Sequence, residues 1–240
     1  MHSNPPIIEM FNLHFDLSIL LASTTSAFLV ILFAWAATRH LTSGMPDPMQ
    51  NLFEWLIEVV QNIMVNTMGN KDNFFVLSTG VSLMMFLFIA NILGVPFSLT
   101  VTGDEHVNWW KSPTADAHVT MTLAFMMIAY THFIDIKLHG FKGYAASYFR
   151  PFKAMLPINL LEQFCMPLTL GMRLFGNIYA GEVILAILAG AVAKGWLYAF
   201  SAALPMMVWQ AYCIFISVIQ SYIFVTLTMV YISQRVNGIH

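Results

Sequence analysis

One arginine inside an apolar run carries the heaviest physical demand in this chain. Arg173 sits in Leu168-Thr-Leu-Gly-Met-Arg173-Leu-Phe-Gly-Asn177-Ile-Tyr-Ala-Gly-Glu182, with apolar and small residues on both sides. A guanidinium stays protonated in proteins. Holding one at bilayer depth costs about 2.5–3.5 kcal/mol on insertion scales, so such a charge normally faces protein or a water-filled cavity. A snorkelling arginine belongs at the end of a segment, and this one lies well inside.

Spacing then assigns directions. Successive helical residues step by about 100°, which puts Asn177, four positions on, on the face of Arg173. Glu162, eleven positions earlier, returns to nearly that face in an unbroken helix. Glu182, nine positions later, points the opposite way and lies ~13–14 Å further along, out of reach of a salt bridge. An arginine facing one partner and a carboxylate facing another suits a charge barrier beside a proton path. The other reading of Glu182 is a carboxyl paired with a neighbouring helix or protonated in the core. Gly176 and Ala180 form a small-xxx-small pair that lets another helix come close. Further on, Gln210, Ser217, Ser221 and Thr228 repeat as a polar stripe, with Gln220 beside it. Such groups line hydrated paths or join helices at roughly 0.6 kcal/mol per bond.

Other chemistries are poorly supported. No pair among His106, His118, His132 and His139 has the i, i+4 spacing of a helical metal site. His106 and His118, with Asp104, Glu105 and Asp116, read as a solvated loop or the rim of an outer vestibule. Cys165 and Cys213 fit no zinc or redox spacing and read as buried free thiols. There is no phosphate-binding glycine loop and no nucleophile elbow, so neither ATP hydrolysis nor a cofactor is expected of this chain.

The elements that must position these groups belong to a membrane protein. The chain has 240 residues, 58% hydrophobic and only 9% charged, with 20 Phe and 17 Met. A soluble domain carries about 25% charged residues, so this set cannot build a water-facing surface. The net charge of −2 gives no electrostatic case for nucleic acid. No basic n-region precedes the first apolar run, and no cleavable signal peptide is expected. The expected fold is an all-α polytopic bundle forming a single membrane domain over 1–240. Its spans are 17–38, 74–101, 118–136, 154–193 and 197–233. Segment 49–68, with Glu54, Glu58, Gln61 and Asn62 on one face, is an amphipathic helix, lying on the membrane surface or packed under the protein's own loops. The fourth span, about forty residues, would measure ~60 Å against a ~30 Å hydrocarbon core. The fifth is overlong too, and the pair reads as a long tilted hairpin. Arg39, Lys71, Lys137, Lys142, Arg150, Lys153 and Arg235 fall on one side of this map, against Lys111 and Lys194 on the other. The positive-inside rule makes the first side cytoplasmic, with the N-terminus outside and the C-terminus inside.

With these residues in view, the chain resembles subunit a of the rotary F-type ATP synthase membrane sector. The likeness rests on Thr169 to Glu182, on Trp209-Gln-Ala-Tyr-Cys-Ile-Phe-Ile-Ser-Val-Ile-Gln220 and its continuation to Tyr231, and more weakly on Trp109-Trp110-Lys-Ser-Pro-Thr-Ala-Asp116. The last looks like the form in Bacillus-type bacteria. The resemblance implies a non-catalytic, proton-channel stator subunit in the bacterial cell membrane. Its partners would be a ring of c subunits, peripheral-stalk b subunits, the rest of the complex and the bilayer. It implies two offset half-channels separated by an arginine barrier, Arg173. Asn177 and Gln220 would match polar positions near that arginine. Glu182 and Glu162 would match acidic positions on the proton path, and Asn91 the outer half-channel. One departure stands out: some relatives carry His where this chain has Cys213, and a thiol does not relay protons as imidazole does. Position 181 is Gly, which leaves no extra basic group beside Glu182. The competing readings are a self-contained secondary transporter that binds an anionic substrate at Arg173, and a purely structural anchor. The first calls for an internal repeat, which the sequence lacks. The second gives no reason to bury Arg173 and Glu182.

Overall fold

The computed structural model describes residues 7–10, 13–42, 44–69, 73–94, 100–102, 106–108, 112–149, 156–192 and 196–237, with side chains excepted at 7–10, 13–15, 100–102, 106–108, 191–192, 196–199 and 237. Lys71, Asp104, Glu105, Trp109, Trp110, Lys111, Arg150, Lys153 and Lys194 lie outside the described residues.

The chain is helical, as its composition requires. Its helices are α1 (Leu17–Thr38), α2 (Pro48–Met68), α3 (Phe74–Gly94), α4 (Ala117–Ser147), α5 (Leu156–Val192) and α6 (Trp196–Asn237). Among the described residues all except α2 are long and apolar enough to cross a membrane, five candidate spans. Two short ribbons, one before α1 and one between α3 and α4, add to the helices expected from the sequence. β1 (Ile7–Met10) pairs antiparallel with β2 (Leu13–Asp16), and β3 (Thr100–Thr102) with β4 (His106–Asn108). α5 and α6 have 37 and 42 residues. At ~1.5 Å per residue these are ~55 and ~63 Å, so neither stands upright in a ~30 Å hydrocarbon layer along its whole length.

Local chemistry sets the boundaries. Asp16 caps α1: its Oδ1 accepts from the Ser18 N–H at 3.0 Å and the Ser18 hydroxyl at 2.6 Å. Within α1, the Ser23, Thr24, Thr25 and Ser26 hydroxyls donate to carbonyls one turn back, which satisfies polar groups that hydrocarbon cannot. α2 opens with Pro48 in its first turn and stops at Gly69, whose φ of 70° suits a residue without Cβ. It buries Gln50, Val60, Ile63, Met64 and Met68 and leaves Glu54, Glu58, Gln61 and Asn62 exposed. Asn73 caps α3 through the Phe75 N–H, and Asp116 caps α4 through the His118 N–H. α4 runs past residue 136, the expected end of the third span, through Lys137 and Lys142 to Ser147. It breaks its regular geometry at Gly140, with φ 71° and ψ 165°, where only glycine is unstrained.

The chain divides into two compact units. The first comprises Met1–Phe33, Met85–Thr120 and Leu174–Ser221, and the second Ala34–Met84, Met121–Arg173 and Tyr222–His240. In the second, Gly80 makes room for Met229 and Val60, which a Cβ at that position would overlap. The same unit holds a buried ion pair: Arg235 Nη1 lies 3.4 Å from Asp135 Oδ2, both side chains 5% exposed. Asp135 Oδ1 also meets His139 Nδ1 at 2.9 Å, and the guanidinium stacks 5.1 Å from the Tyr148 ring centroid. Removing one member of a buried pair strands the other's charge, which costs about 3–5 kcal/mol, whereas replacing both with apolar groups is often neutral. Asp135→Asn should therefore lower thermal stability in detergent more than the double change Asp135→Leu/Arg235→Met does.

Candidate functional site

The first unit gathers polar side chains from α3, α5, α6 and the 3₁₀ turn Pro113–Ala115 that precedes α4. This turn is buried, not solvated: Ser112, Pro113, Thr114 and Ala115 are all inaccessible. It fits because Gly94 has no side chain, since a Cβ there would overlap Ser112. Asn91, on α3 and 0% exposed, is held from three directions. Its Oδ1 accepts from the Thr114 hydroxyl at 2.7 Å, and its Nδ2 donates to Ser221 Oγ at 3.3 Å and to the Ser217 carbonyl at 3.4 Å. The Ser112 and Thr114 hydroxyls lie 2.9 Å apart, and the Ser112 N–H donates to Glu182 Oε1 at 3.3 Å. A line of polar groups thus joins Glu182 to Asn91 through the turn, then continues to α6 at Ser221.

Glu182 is half-buried and borders a cavity of about 100 Å³, lined also by Asn177, Gly181, Trp209, Tyr212 and Cys213. A water needs roughly 10–15 Å³ of such space and two to four polar partners, so this cavity has room for several. Asn177 Nδ2 donates to Gln220 Oε1 at 3.0 Å, linking α5 to α6. Gln220 is 2% exposed, and its Nε2 has no partner among the described residues. The polar stripe of α6 is buried at Ser217, Ser221 and Thr228, whose hydroxyls donate to carbonyls one turn back. That bonding leaves their oxygen lone pairs available, as Asn91 exploits at Ser221.

The second unit contains Arg173 and Glu162. Arg173 is exposed and has no hydrogen-bond or ion-pair partner among the described residues. Glu162 is exposed and borders a small cavity of about 10 Å³ with Ser147, Tyr148, Asn159, Gln163 and Arg235, at the lower limit for one water. Thr169, Met172 and Arg173 are exposed in this unit's part of α5, and Gly176, Asn177 and Ala180 are exposed in the first unit's part. A Cβ on Gly176 would meet nothing within 4 Å. Cys165, expected to be buried, is exposed on this helix, and Cys213 is buried.

The structure therefore brings together Asn91 with the turn before α4 and the turn with Glu182, and separately Asn177 with Gln220. Sequence reasoning passed over Ser112, Thr114 and Trp209. The first two lie in a loop read as solvated, although its Ser-Pro-Thr-Ala run carries no charge. Among the described residues, no three His, Cys, Asp or Glu side chains converge as metal ligands would.

Residues 20–233 match the family model described as ATP synthase A chain. The chain is 44% identical over 241 residues to ATP synthase subunit a of Bacillus subtilis strain 168, covering 97% of each. It is 42% identical over 240 residues to ATP synthase subunit a of Priestia megaterium, covering all of both chains. It is 43% identical over 239 residues to ATP synthase subunit a of Listeria welshimeri, covering 98% of each.

The buried turn makes its own prediction. Thr114→Val keeps the shape but removes the donor to Asn91 Oδ1, and a buried acceptor left unpaired costs about 1–3 kcal/mol. The variant should melt earlier in detergent than the parent protein, and Thr114→Ser should recover most of the loss.

Proposed function

The chain belongs to the ATP synthase A chain family, and from that premise we propose that it is the stator subunit through which protons cross the membrane to turn a ring of c subunits. The observation that carries the reading is the open position of Arg173. A permanent cation sits on a long apolar helix, exposed on its own chain, without an internal counter-ion among the described residues. Hydrocarbon cannot solvate it, so it needs a partner from another chain. Gly176, with open space where a Cβ would be, and exposed Asn177 and Ala180 give a second helix room to pack beside it.

A membrane carboxylate carried by each ring subunit supplies the missing partner. Away from the stator it travels protonated, because the neutral form suits lipid. Beside Arg173 the ionised form is favoured, as any carboxylate's is next to a fixed cation in low dielectric. The carboxylate gives its proton to one half-channel on approach and takes a proton from the other on leaving. The guanidinium repels a free proton that would short-circuit the two. Glu182, the buried turn and Asn91 form the outer half-channel, with Ser112 and Thr114 added to the residues expected from sequence. Asn177 and Gln220 position polar groups beside Arg173, and Glu162 lines the inner half-channel. ATP chemistry resides on other subunits, and b subunits hold the stator. The basic residues Arg39, Lys137, Lys142 and Arg235 support a cytoplasmic C-terminus and an outward N-terminus. A transporter for an anionic substrate would instead call for an internal repeat, which the sequence lacks.

The test is ATP-driven proton pumping in inverted membrane vesicles at matched assembly. Arg173→Ala should abolish pumping. Arg173→Lys should leave it strongly impaired, since a point charge on a flexible stem does not reproduce a planar guanidinium. Glu182→Gln should lower it by at least tenfold, the effect on rate of about 1.4 kcal/mol. Normal pumping by Arg173→Ala would overturn the reading.

A further inference from the structure

We propose that Trp209 is a positioning residue that holds open the cavity beside Glu182, an inference that rests on the proton-path reading of that carboxylate. The Trp209 indole N–H donates to the Gly181 carbonyl at 3.2 Å, tying α6 to α5 one residue before Glu182. The indole and Glu182 border the same cavity of about 100 Å³. The Tyr212 ring, 5.0 Å away centroid to centroid, supports the indole from the same helix. On the next turn of α6, the helices come as close as side chains permit: a Cβ on Gly181 would stand 3.1 Å from Cys213 Sγ. One contact thus brings the two backbones together while the indole beside it spaces them.

The spacing matters because of what Glu182 must do. A carboxylate hands protons on through water or a hydrogen-bonded neighbour, and its neighbour at Cys213 is a thiol, which relays poorly. Water in the cavity offers that exchange a second route beside the Ser112–Thr114 turn. A bulky aromatic whose one polar atom is tied to a carbonyl keeps its orientation, and the space it borders stays open. Trp209 touches neither the carboxylate nor Arg173 in any described contact, so its effect passes through cavity shape.

Cys213 reports on that shape. Its thiol borders the cavity, and only the hydrated thiolate reacts with small electrophiles. The experiment uses the assembled complex in inverted vesicles with Cys165→Ala, so that Cys213 is the chain's remaining thiol. It measures ATP-driven pumping together with the rate at which methyl methanethiosulfonate modifies Cys213. Trp209→Phe keeps an aromatic ring and removes the N–H. It should lower both rates by roughly two- to tenfold, the range equivalent to one net hydrogen bond. Gly181→Ala places a methyl group against the thiol and should lower both rates with the indole intact, which keeps the test decisive if Trp209→Phe fails to assemble. Unchanged pumping and unchanged modification in an assembled variant would overturn the proposal. If Glu182→Gln pumps normally as well, the proton-path reading itself has failed. If Glu182→Gln is inactive while Trp209→Phe is normal, only the positioning role is lost.

Discussion

A guanidinium keeps its proton at any pH the cell reaches, and hydrocarbon cannot solvate it. Every arginine in an apolar helix must therefore be matched by something. This chain matches its two α5 and α6 arginines in opposite ways. Arg235 is buried against Asp135, stacked on Tyr148, and approached by Ser147 Oγ at 3.5 Å. Its charge is consumed inside the protein and serves to fix the end of α6. Arg173 is exposed and unpaired among the described residues. On the proposed function, a carboxylate from another chain completes it.

The remaining polar groups follow the same constraint at lower stakes. Hydroxyls along α1 and α6 return to their own helix carbonyls, which makes them cheap to bury. Several amides and a carboxylate reach across the fold instead: Asn91 to Thr114 and Ser221, Asn177 to Gln220, Glu182 to the Ser112 N–H. On the proposed function these longer reaches serve the proton path.

Much of this was legible in the sequence, for a simple reason. Apolar runs mark the five spans, though not their ends, since α3 stops at Gly94 and α4 continues to Ser147, and helical spacing puts Arg173 and Asn177 on one face. Periodicity says which way a residue points and is silent about what lies there. Small residues at Gly176 and Ala180 announced a close helix approach, yet within this chain Gly176 faces open space. The contacts that escaped are separated by long stretches of chain: Ser112 with Glu182, seventy positions apart, and Asp135 with Arg235, a hundred apart. Loop composition misled as well. Ser112 to Ala115 sit in a polar connection, and burial there depends on the missing side chain of Gly94. Gly140 carried no signal beyond its type, and the helix continues on both sides of it.

The central claim is that Arg173 separates two proton-accessible compartments. The most direct measurement is passive proton conductance of vesicles whose membrane sectors have been stripped of the catalytic head, with Arg173→Ala compared with the parent at equal content of this chain. The account predicts a higher conductance in the variant, because the barrier between the half-channels is gone. Conductance equal to or below the parent's would contradict it and would make Arg173 a structural charge.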